Sequence, residues 1–175
     1  NEGFSVLEVR NKERIEFSED FFITIGHVPF YDSWALIEVD GKKIMNANDC
    51  ILETPDRVQD IKNVTDTVDI LFTQFSYASW VEGGVSDSSS RALLANEKLE
   101  RIRMQSDVLK PSTIVPFASM VRFCHTENSY MNDEINTPKQ TVNFIESSTK
   151  SKAFLMVPYE NWNGESSKNN QTWNH

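Results

Sequence analysis

The sequence predicts an α/β fold in which strand hairpins come first and strands alternating with helices follow. The first observation is Asp40-Gly41, which lies between two runs rich in strand formers, 35–39 and 42–46. Asp-Gly between two such runs is the strongest local signal of a tight β-hairpin. The second observation is the order after residue 54, where helical stretches alternate with apolar strands. The 175 residues are enough for one domain with a real core.

The elements can be placed in order along the chain from their periodicity and their end signals. The strand predictions are an edge strand or tail over 1–12, one or two strands over 14–25, the hairpin, and strands over 68–73, 113–117 and 153–157. The helix predictions are 55–62 with Thr54 as its cap, a long helix from the serines 88–90 to about Leu109, and 138–147. Residues 120–127 fit either a strand or a helix, and 163–175 is expected to be a mobile polar tail.

Charge and composition exclude several classes of function. The formal net charge of −9 argues against binding to nucleic acid or to an anionic membrane, because both need a basic surface. No apolar run approaches the length of a membrane span. Two cysteines, Cys50 and Cys124, make no disulfide framework, so we expect a reducing compartment and a cytoplasmic protein.

Two possible metal ligands follow strand-like runs. His27 ends the apolar run 22–27, and Asp49 follows the second strand of the hairpin. Imidazole and carboxylate groups are suitable ligands for zinc, manganese or iron. The alternative is that His27 is a partly buried turn residue and Asp49 a turn former.

A third candidate is His125, which follows Cys124 and has acidic residues nearby in the sequence. It fits a metal ligand or an acid–base group, although a lone histidine near aromatic residues is more often structural. The loop after the strand at 68–73 contains Phe75, Tyr77 and Trp80, which we expect either to line a substrate pocket or to cover the core. The sequence has no nucleophile elbow, phosphate-binding loop or dinucleotide fingerprint.

Several of these stretches together resemble the second half of the metallo-β-lactamase fold. Gly26-His27, the hairpin and Asn48-Asp49-Cys50 are similar to the histidine and the metal-bridging aspartate of that half. The stretches 69–80 and 109–119 resemble the ascorbate-6-phosphate lactonase-like group, and with 123–126 they look even more like the metallo-β-lactamase-like part of CMP-N-acetylneuraminate hydroxylases. The resemblance covers roughly residues 15–162.

The resemblance implies one half of an αββα sandwich over residues 1–162, with a mixed sheet and helices packed on one face. It implies that His27 and Asp49 hold zinc, or else iron or manganese, for hydrolysis of an ester, lactone, amide or phosphodiester. His125 would be a further ligand or a proton shuttle, and the aromatic loop the pocket wall. The His-x-His-x-Asp-His motif of the first half is absent, and Ala118 stands at the last-histidine position.

Three functions therefore stay open. The first is a metal-dependent hydrolase of a small-molecule substrate, and the second a non-catalytic metallo-β-lactamase-like scaffold. The third is an acidic partner of a basic protein, which only the charge supports. For the first two, half a sandwich leaves an apolar sheet face that a missing N-terminal half, a second chain or a homo-oligomer must cover.

Overall fold

Seven strands form one mixed sheet in a computed structural model of the chain, which describes residues 3, 5–48, 50–156, 159 and 161–162. The strands lie in the sheet in the order in which they occur along the chain. They are β1 (Glu13–Ser18), β2 (Phe21–Val28), β3 (Asp32–Val39), β4 (Lys42–Asn46), β5 (Ile70–Gln74), β6 (Thr113–Phe117) and β7 (Lys152–Ala153).

The sheet is antiparallel in its first half and parallel in its second. β1 to β4 pair as an antiparallel meander, whereas β4 to β7 pair in parallel. Parallel neighbours need a long crossover, and a helix lies in each one. The helices are α1 (Pro55–Thr65), α2 (Ser88–Leu109) and α3 (Pro138–Ser148). The predicted α/β fold with a mixed sheet is confirmed.

The helix ends follow from their capping residues. Thr54 and Thr137 are the N-caps of α1 and α3, and a proline occupies the first position of each helix. Thr137 also forms a reciprocal capping box with Gln140. The cap of α2 was predicted among the serines 88–90 but is Asp87, whose Oδ1 accepts the N–H of Ser90 at 3.1 Å. The carboxylate of Asp87 thus accepts from a free N–H group of the first helical turn, which is the role predicted for a serine hydroxyl.

Two tight turns connect the strands of the meander on opposite edges of the sheet. Asp40 and Gly41 adopt φ of 49° and 72° between β3 and β4, which confirms the predicted hairpin. Phe30 and Tyr31 adopt φ of 67° and 62° between β2 and β3. Positive φ at two adjacent positions suits Asn-Gly or Asp-Gly, and bulky side chains are uncommon there.

The main core lies between one face of the sheet and the three helices. On the sheet side Leu36, Met45, Leu71 and Ile114 lie in one row of neighbouring strands, and all are at most 3% exposed. The helix side contributes Val58 and Ile61 of α1, Ile102 and Leu109 of α2 and Ile145 of α3. This packing confirms the prediction that the helices cover one face.

The opposite face carries a second apolar row, which we call the isoleucine row. It consists of side chains in register across five strands, each of them partly buried: Ile15, Ile23, Ile37, Ile44 and Ile70. Because side chains alternate between the faces of a strand, this row points away from the helices. The sheet therefore presents an apolar face on the side that the helices leave uncovered.

Several sequence-based boundaries need correction. Residues 120–127 form neither a strand nor a helix, and β7 is two residues long rather than five. Residues 5–12 form no strand, which leaves the tail as the remaining alternative for that stretch. Residues 163–175, the predicted tail, lie outside the described residues. Cys50 is buried, Cys124 is exposed, and no disulfide joins them. Within the described part of the chain, no helix combines the length and hydropathy that a bilayer span needs.

Candidate functional site

The carboxyl ends of five strands lie at one edge of the sheet. β4 to β7 are parallel, and Asn46, Phe72 and Val115 lie in one row across β4, β5 and β6. β2 runs in the same direction as β4, because each is antiparallel to β3 between them. The hairpin end of β2 therefore belongs to the same edge, which we call the carboxyl edge. Such edges are where open α/β sheets bind ligands.

His27 lies at the carboxyl edge and is the penultimate residue of β2, just before the turn to β3. It pairs with Ser33 of β3, and its backbone N–H donates to Oδ1 of Asn11 at 2.8 Å. Strand alternation places its side chain on the same face as Ile23 and Ile25, which is the uncovered face. The residue is exposed, so its imidazole is accessible to solvent, to a ligand or to a covering segment.

Asp49, the second predicted ligand, lies outside the described residues, but its flanking residues are well fixed. The N–H of Asn48 donates to Oδ1 of Asn46 at 3.0 Å, and the carbonyl of Asn48 accepts the N–H of Gln74 at 3.1 Å. On the other side Cys50 is buried, and its N–H donates to the carbonyl of Ala47 at 3.0 Å. Asn48 and Cys50 therefore both follow the end of β4 at the carboxyl edge.

A complete metal-ligand set does not come from the described residues alone. Among residues 3, 5–48, 50–156, 159 and 161–162, no three His, Cys, Asp or Glu side chains are close enough together to hold a metal ion. A catalytic zinc usually takes three protein ligands. The imidazole of His27 is a suitable donor, so the described chain fits a metal only in part.

His125 lies in the loop after β6 and is exposed. Its backbone is held by a local turn: the N–H donates to Oδ1 of Asn128 at 3.1 Å, and the carbonyl accepts the N–H groups of Asn128 and Ser129. These contacts involve only the main chain of His125. The role of its imidazole as a metal ligand or acid–base group stays a prediction.

The three aromatic residues predicted to line a pocket lie in three different environments. Phe75 is fully buried in the main core. Tyr77 is buried in a smaller cluster with Met131, and its hydroxyl donates to the Met131 carbonyl at 2.6 Å. Trp80 is 62% exposed and contacts the ring of Tyr130 edge-on. Their role in a pocket stays a prediction.

Burial raises the pKa of Tyr77, and the negative charge of Asp133 raises it further. The phenol is therefore neutral and a hydrogen-bond donor across the physiological pH range. Tyr77 thus ties the end of the segment after β5 to the loop that follows β6.

A buried guanidinium, which the sequence analysis did not single out, anchors the loops next to this cluster. Arg91 of α2 is fully buried and forms two hydrogen bonds to the carboxylate of Asp133, of 2.8 and 2.6 Å. It also donates to the carbonyls of Gly84 and Val85. The hydrogen bonds from Arg91 hold the pKa of Asp133 below its ordinary value. The helical period could have indicated that Arg91 is buried, since it lies one turn before the buried Ala95 and so on the same face of α2.

A second group missed from the sequence is Lys98 of α2, whose Nζ donates to Oε1 of Gln74 at 2.5 Å. Gln74 ends β5, so this contact brings a positive charge to the carboxyl edge. The long-range pairing of a helix lysine with a strand glutamine has no local sequence signature.

The hairpin end of β2 borders a cavity of about 620 Å³. Its wall consists of two exposed rings, an imidazole, a carboxylate, a hydroxyl and a valine: Phe30, Tyr31, His27, Asp32, Ser33 and Val28. The volume lies within the range of small-molecule sites, roughly 300–1,000 Å³.

Comparison with known proteins shows a likeness of fold. No family model matches the chain, and no curated protein matches it. Among solved structures, it is similar to CmlA, a diiron β-hydroxylase from Streptomyces venezuelae, with a TM-score of 0.57 at 12% identity over 88% of this chain. A substituted variant of CmlA gives a TM-score of 0.60 at 11% identity, also over 88% of this chain. In both comparisons the chain spans 33% of the CmlA chain.

A protein of the metallo-β-lactamase superfamily from Thermotoga maritima is similar at a lower level. Its TM-score is 0.45 at 13% identity, over 85% of this chain and 70% of that one. The chain therefore shares its fold with a third of CmlA, and at these identities the likeness extends to the fold alone.

Proposed function

We propose that the chain is part of a metal-dependent hydrolase of the metallo-β-lactamase superfamily, with its site at the carboxyl edge. The observation that carries the proposal is the strand register, which brings the ends of β2 and β4 to one edge, where His27 and Asn48 lie. The sequence resemblance assigns metal binding to His27 and Asp49, and the likeness to CmlA supports the fold.

The metal would supply two things: a bound water of lowered pKa and a positive charge for the developing oxyanion. His27 would hold it through an imidazole fixed on a paired strand, and Asp49 through a carboxylate. Zinc suits this donor set, and iron and manganese are the alternatives. CmlA is a diiron β-hydroxylase, which is a reason to test iron as well.

The remaining ligands would come from whatever covers the isoleucine row. A missing N-terminal half, a second chain or a second copy of this chain could each bring donors to the carboxyl edge while burying the apolar face. The row points away from the helices, and half a sandwich exposed in this way is an aggregation hazard.

The finer parts of the proposal rest on the sequence. His125 as proton shuttle, the aromatic residues Phe75, Tyr77 and Trp80 as pocket wall, and the cytoplasm as compartment are carried by the resemblance and the cysteine content. The relation to the ascorbate-6-phosphate lactonase-like group and to the CMP-N-acetylneuraminate hydroxylases is likewise proposed from the sequence resemblance alone. A small molecule with an ester, lactone, amide or phosphodiester bond is the proposed substrate.

The second candidate is a non-catalytic scaffold of the same fold. It is favoured by the lack of a three-donor group among the described residues and by Ala118 at the last-histidine position. In that case the carboxyl edge would hold no metal, and the sheet face would serve only for association.

Metal content separates the two candidates. We expect the purified full-length protein, with the segment or chain that covers the isoleucine row present, to contain bound zinc, iron or manganese by elemental mass spectrometry. His27→Ala and Asp49→Ala should each reduce that metal content at least tenfold. Asp20→Ala removes a carboxylate from the turn at the opposite edge and is the matched control. A stable, metal-free protein, or metal retained in both site variants, would overturn the hydrolase proposal and favour the scaffold.

A further inference from the structure

The turn between β2 and β3 is built from residues that a stable turn does not favour. Phe30 and Tyr31 both adopt positive φ, a conformation that costs a non-glycine residue roughly 1–2 kcal/mol. The two-residue turn between β3 and β4 has Asp40-Gly41 at its positive-φ positions, whereas the three-residue turn 29–31 between β2 and β3 has two bulky aromatic residues there. This unfavourable choice of residues indicates that the two rings serve a purpose other than stability.

Both rings are presented to solvent beside the cavity. Phe30 is 80% exposed and Tyr31 is fully exposed, so neither contributes to the core. They line the cavity of about 620 Å³ together with His27, Asp32 and Ser33. Two adjacent exposed rings next to hydrogen-bonding groups form a surface on which a flat apolar group can stack while its polar end is bound.

The charges around the cavity narrow the class of ligand. The carboxylate of Asp32 lies in its wall, and the chain as a whole has a net charge of −9. Both disfavour an anion at this position. A neutral group, or a cation that the ring faces also attract, suits the site better.

We propose that the turn Phe30-Tyr31 is a binding subsite for a small molecule that carries an aromatic ring and no negative charge. The inference rests on the proposed function in one respect, since His27 belongs to both sites. Within that function it narrows the substrate from any ester, lactone, amide or phosphodiester to an aryl ester, lactone or amide without negative charge whose ring stacks on the turn.

The test uses three small probes on the purified protein treated with chelator, so that it does not depend on bound metal. The probes are acetanilide, its saturated counterpart N-cyclohexylacetamide, and phenyl phosphate. We expect acetanilide to shift the amide NMR signals of residues 27–33 with saturable binding. N-Cyclohexylacetamide is expected to bind at least threefold more weakly, and phenyl phosphate not to saturate.

The decisive variant replaces Phe30-Tyr31 by Asn-Gly, which suits the turn and removes both rings. We expect it to bind acetanilide at least tenfold more weakly while its urea midpoint rises, so that loss of binding cannot be ascribed to unfolding. Tyr159→Asn removes another fully exposed ring and should leave binding unchanged.

Two results would overturn the inference: acetanilide that shifts nothing in 27–33, or binding that survives the Asn-Gly replacement. Metal content, measured separately, keeps the two proposals apart. Acetanilide binding in a protein that never holds metal would uphold the aryl subsite and overturn the hydrolase. Metal binding without acetanilide binding would overturn the aryl subsite and leave the hydrolase proposal standing.

Discussion

The backbone N–H of Gln74 donates to the carbonyl oxygen of Asn48 over 3.1 Å, beyond the last ladder pair of β4 and β5. A second bond, from the N–H of Ala47 to the carbonyl of Phe72, precedes it at 2.9 Å. The chain that leaves β4 is thus fastened to β5 for two further residues. This fastening brings the residue before Asp49 to the carboxyl edge, where the end of β2 also lies.

The two faces of β3 should respond very differently to truncation. Leu36 is 3% exposed against the helices, whereas its neighbour Ile37 belongs to the isoleucine row. We expect Leu36→Ala to cost about 2–5 kcal/mol of unfolding free energy, as is usual for a buried leucine. Ile37→Ala should cost clearly less in the isolated chain. Urea denaturation measures both, and equal losses would show that the Ile37 face is already covered.

Gly26 is required by a ring rather than by its backbone. A Cβ at this position would lie 2.1 Å from Cε2 and Cζ2 of Trp34, which is 1% exposed and cannot easily move. We expect Gly26→Ala to cost about 1–3 kcal/mol or more through overpacking. Gly41→Ala is the matched variant, because it meets no atom within 4 Å and pays only for its positive φ. If Gly41→Ala proved the more costly in urea melts, the Trp34 ring would have to be mobile.

The capping box of α3 predicts a modest and local effect. Oγ1 of Thr137 accepts the N–H of Gln140, and the Gln140 side chain accepts the N–H of Thr137 in return. We expect Thr137→Ala to cost about 1 kcal/mol, the usual value of a lost N-cap. Thr137→Ser keeps the hydroxyl and should retain most of the stability. A serine variant as unstable as the alanine variant would contradict the capping role.

Arg91 should matter far more than an exposed arginine of the same helix. Arg91→Met leaves the carbonyls of Gly84 and Val85 without their donor, so we expect a clear fall in melting temperature. Arg103→Met removes an exposed pair with Glu100 and should change the melting temperature little. Similar shifts for the two variants in a thermal melt would argue against Arg91 as the anchor of these loops.

The same anchor predicts a dependence on acidic pH. The hydrogen bonds from Arg91 hold the folded-state pKa of Asp133 below its ordinary value of 3.8. A lowered pKa means that the carboxylate stabilises the fold at any pH above its unfolded value and loses that contribution as pH falls through the folded value. We therefore expect the stability difference between the protein and Asp133→Asn to shrink below about pH 4. A difference that stays constant from pH 6 down to 2 would contradict the ionised pair.

Local patterns were enough to predict most of the fold. Asp40-Gly41 predicted its hairpin because the turn is a short-range requirement, and the Thr-Pro pairs at 54–55 and 137–138 predicted the starts of α1 and α3. β7 was placed too long, because only Lys152 and Ala153 find partners in β6. Whether an apolar run forms a strand depends on the adjacent strand with which it can pair, and the sequence of the run alone does not show that partner.

The site was harder to predict than the fold. The strand register brings the end of β2 and the end of β4 to one edge, while the partnership of His27 with Asp49 stays a prediction. Arg91 was missed because a charged residue is rarely buried, and nothing next to it in the sequence shows that it is paired. Its partner Asp133 is 42 positions away, and no local pattern connects the two.

The division of the sheet into a meander and a parallel half has a consequence for the order of folding. β1 to β4 pair only with sequence neighbours, so this part can assemble as soon as residue 46 has been synthesised. The parallel half must wait for α1 and α2 to close its crossovers. During that interval both apolar faces of the meander are bare. A nascent chain at this stage is a natural client for a chaperone, whatever its mature form binds.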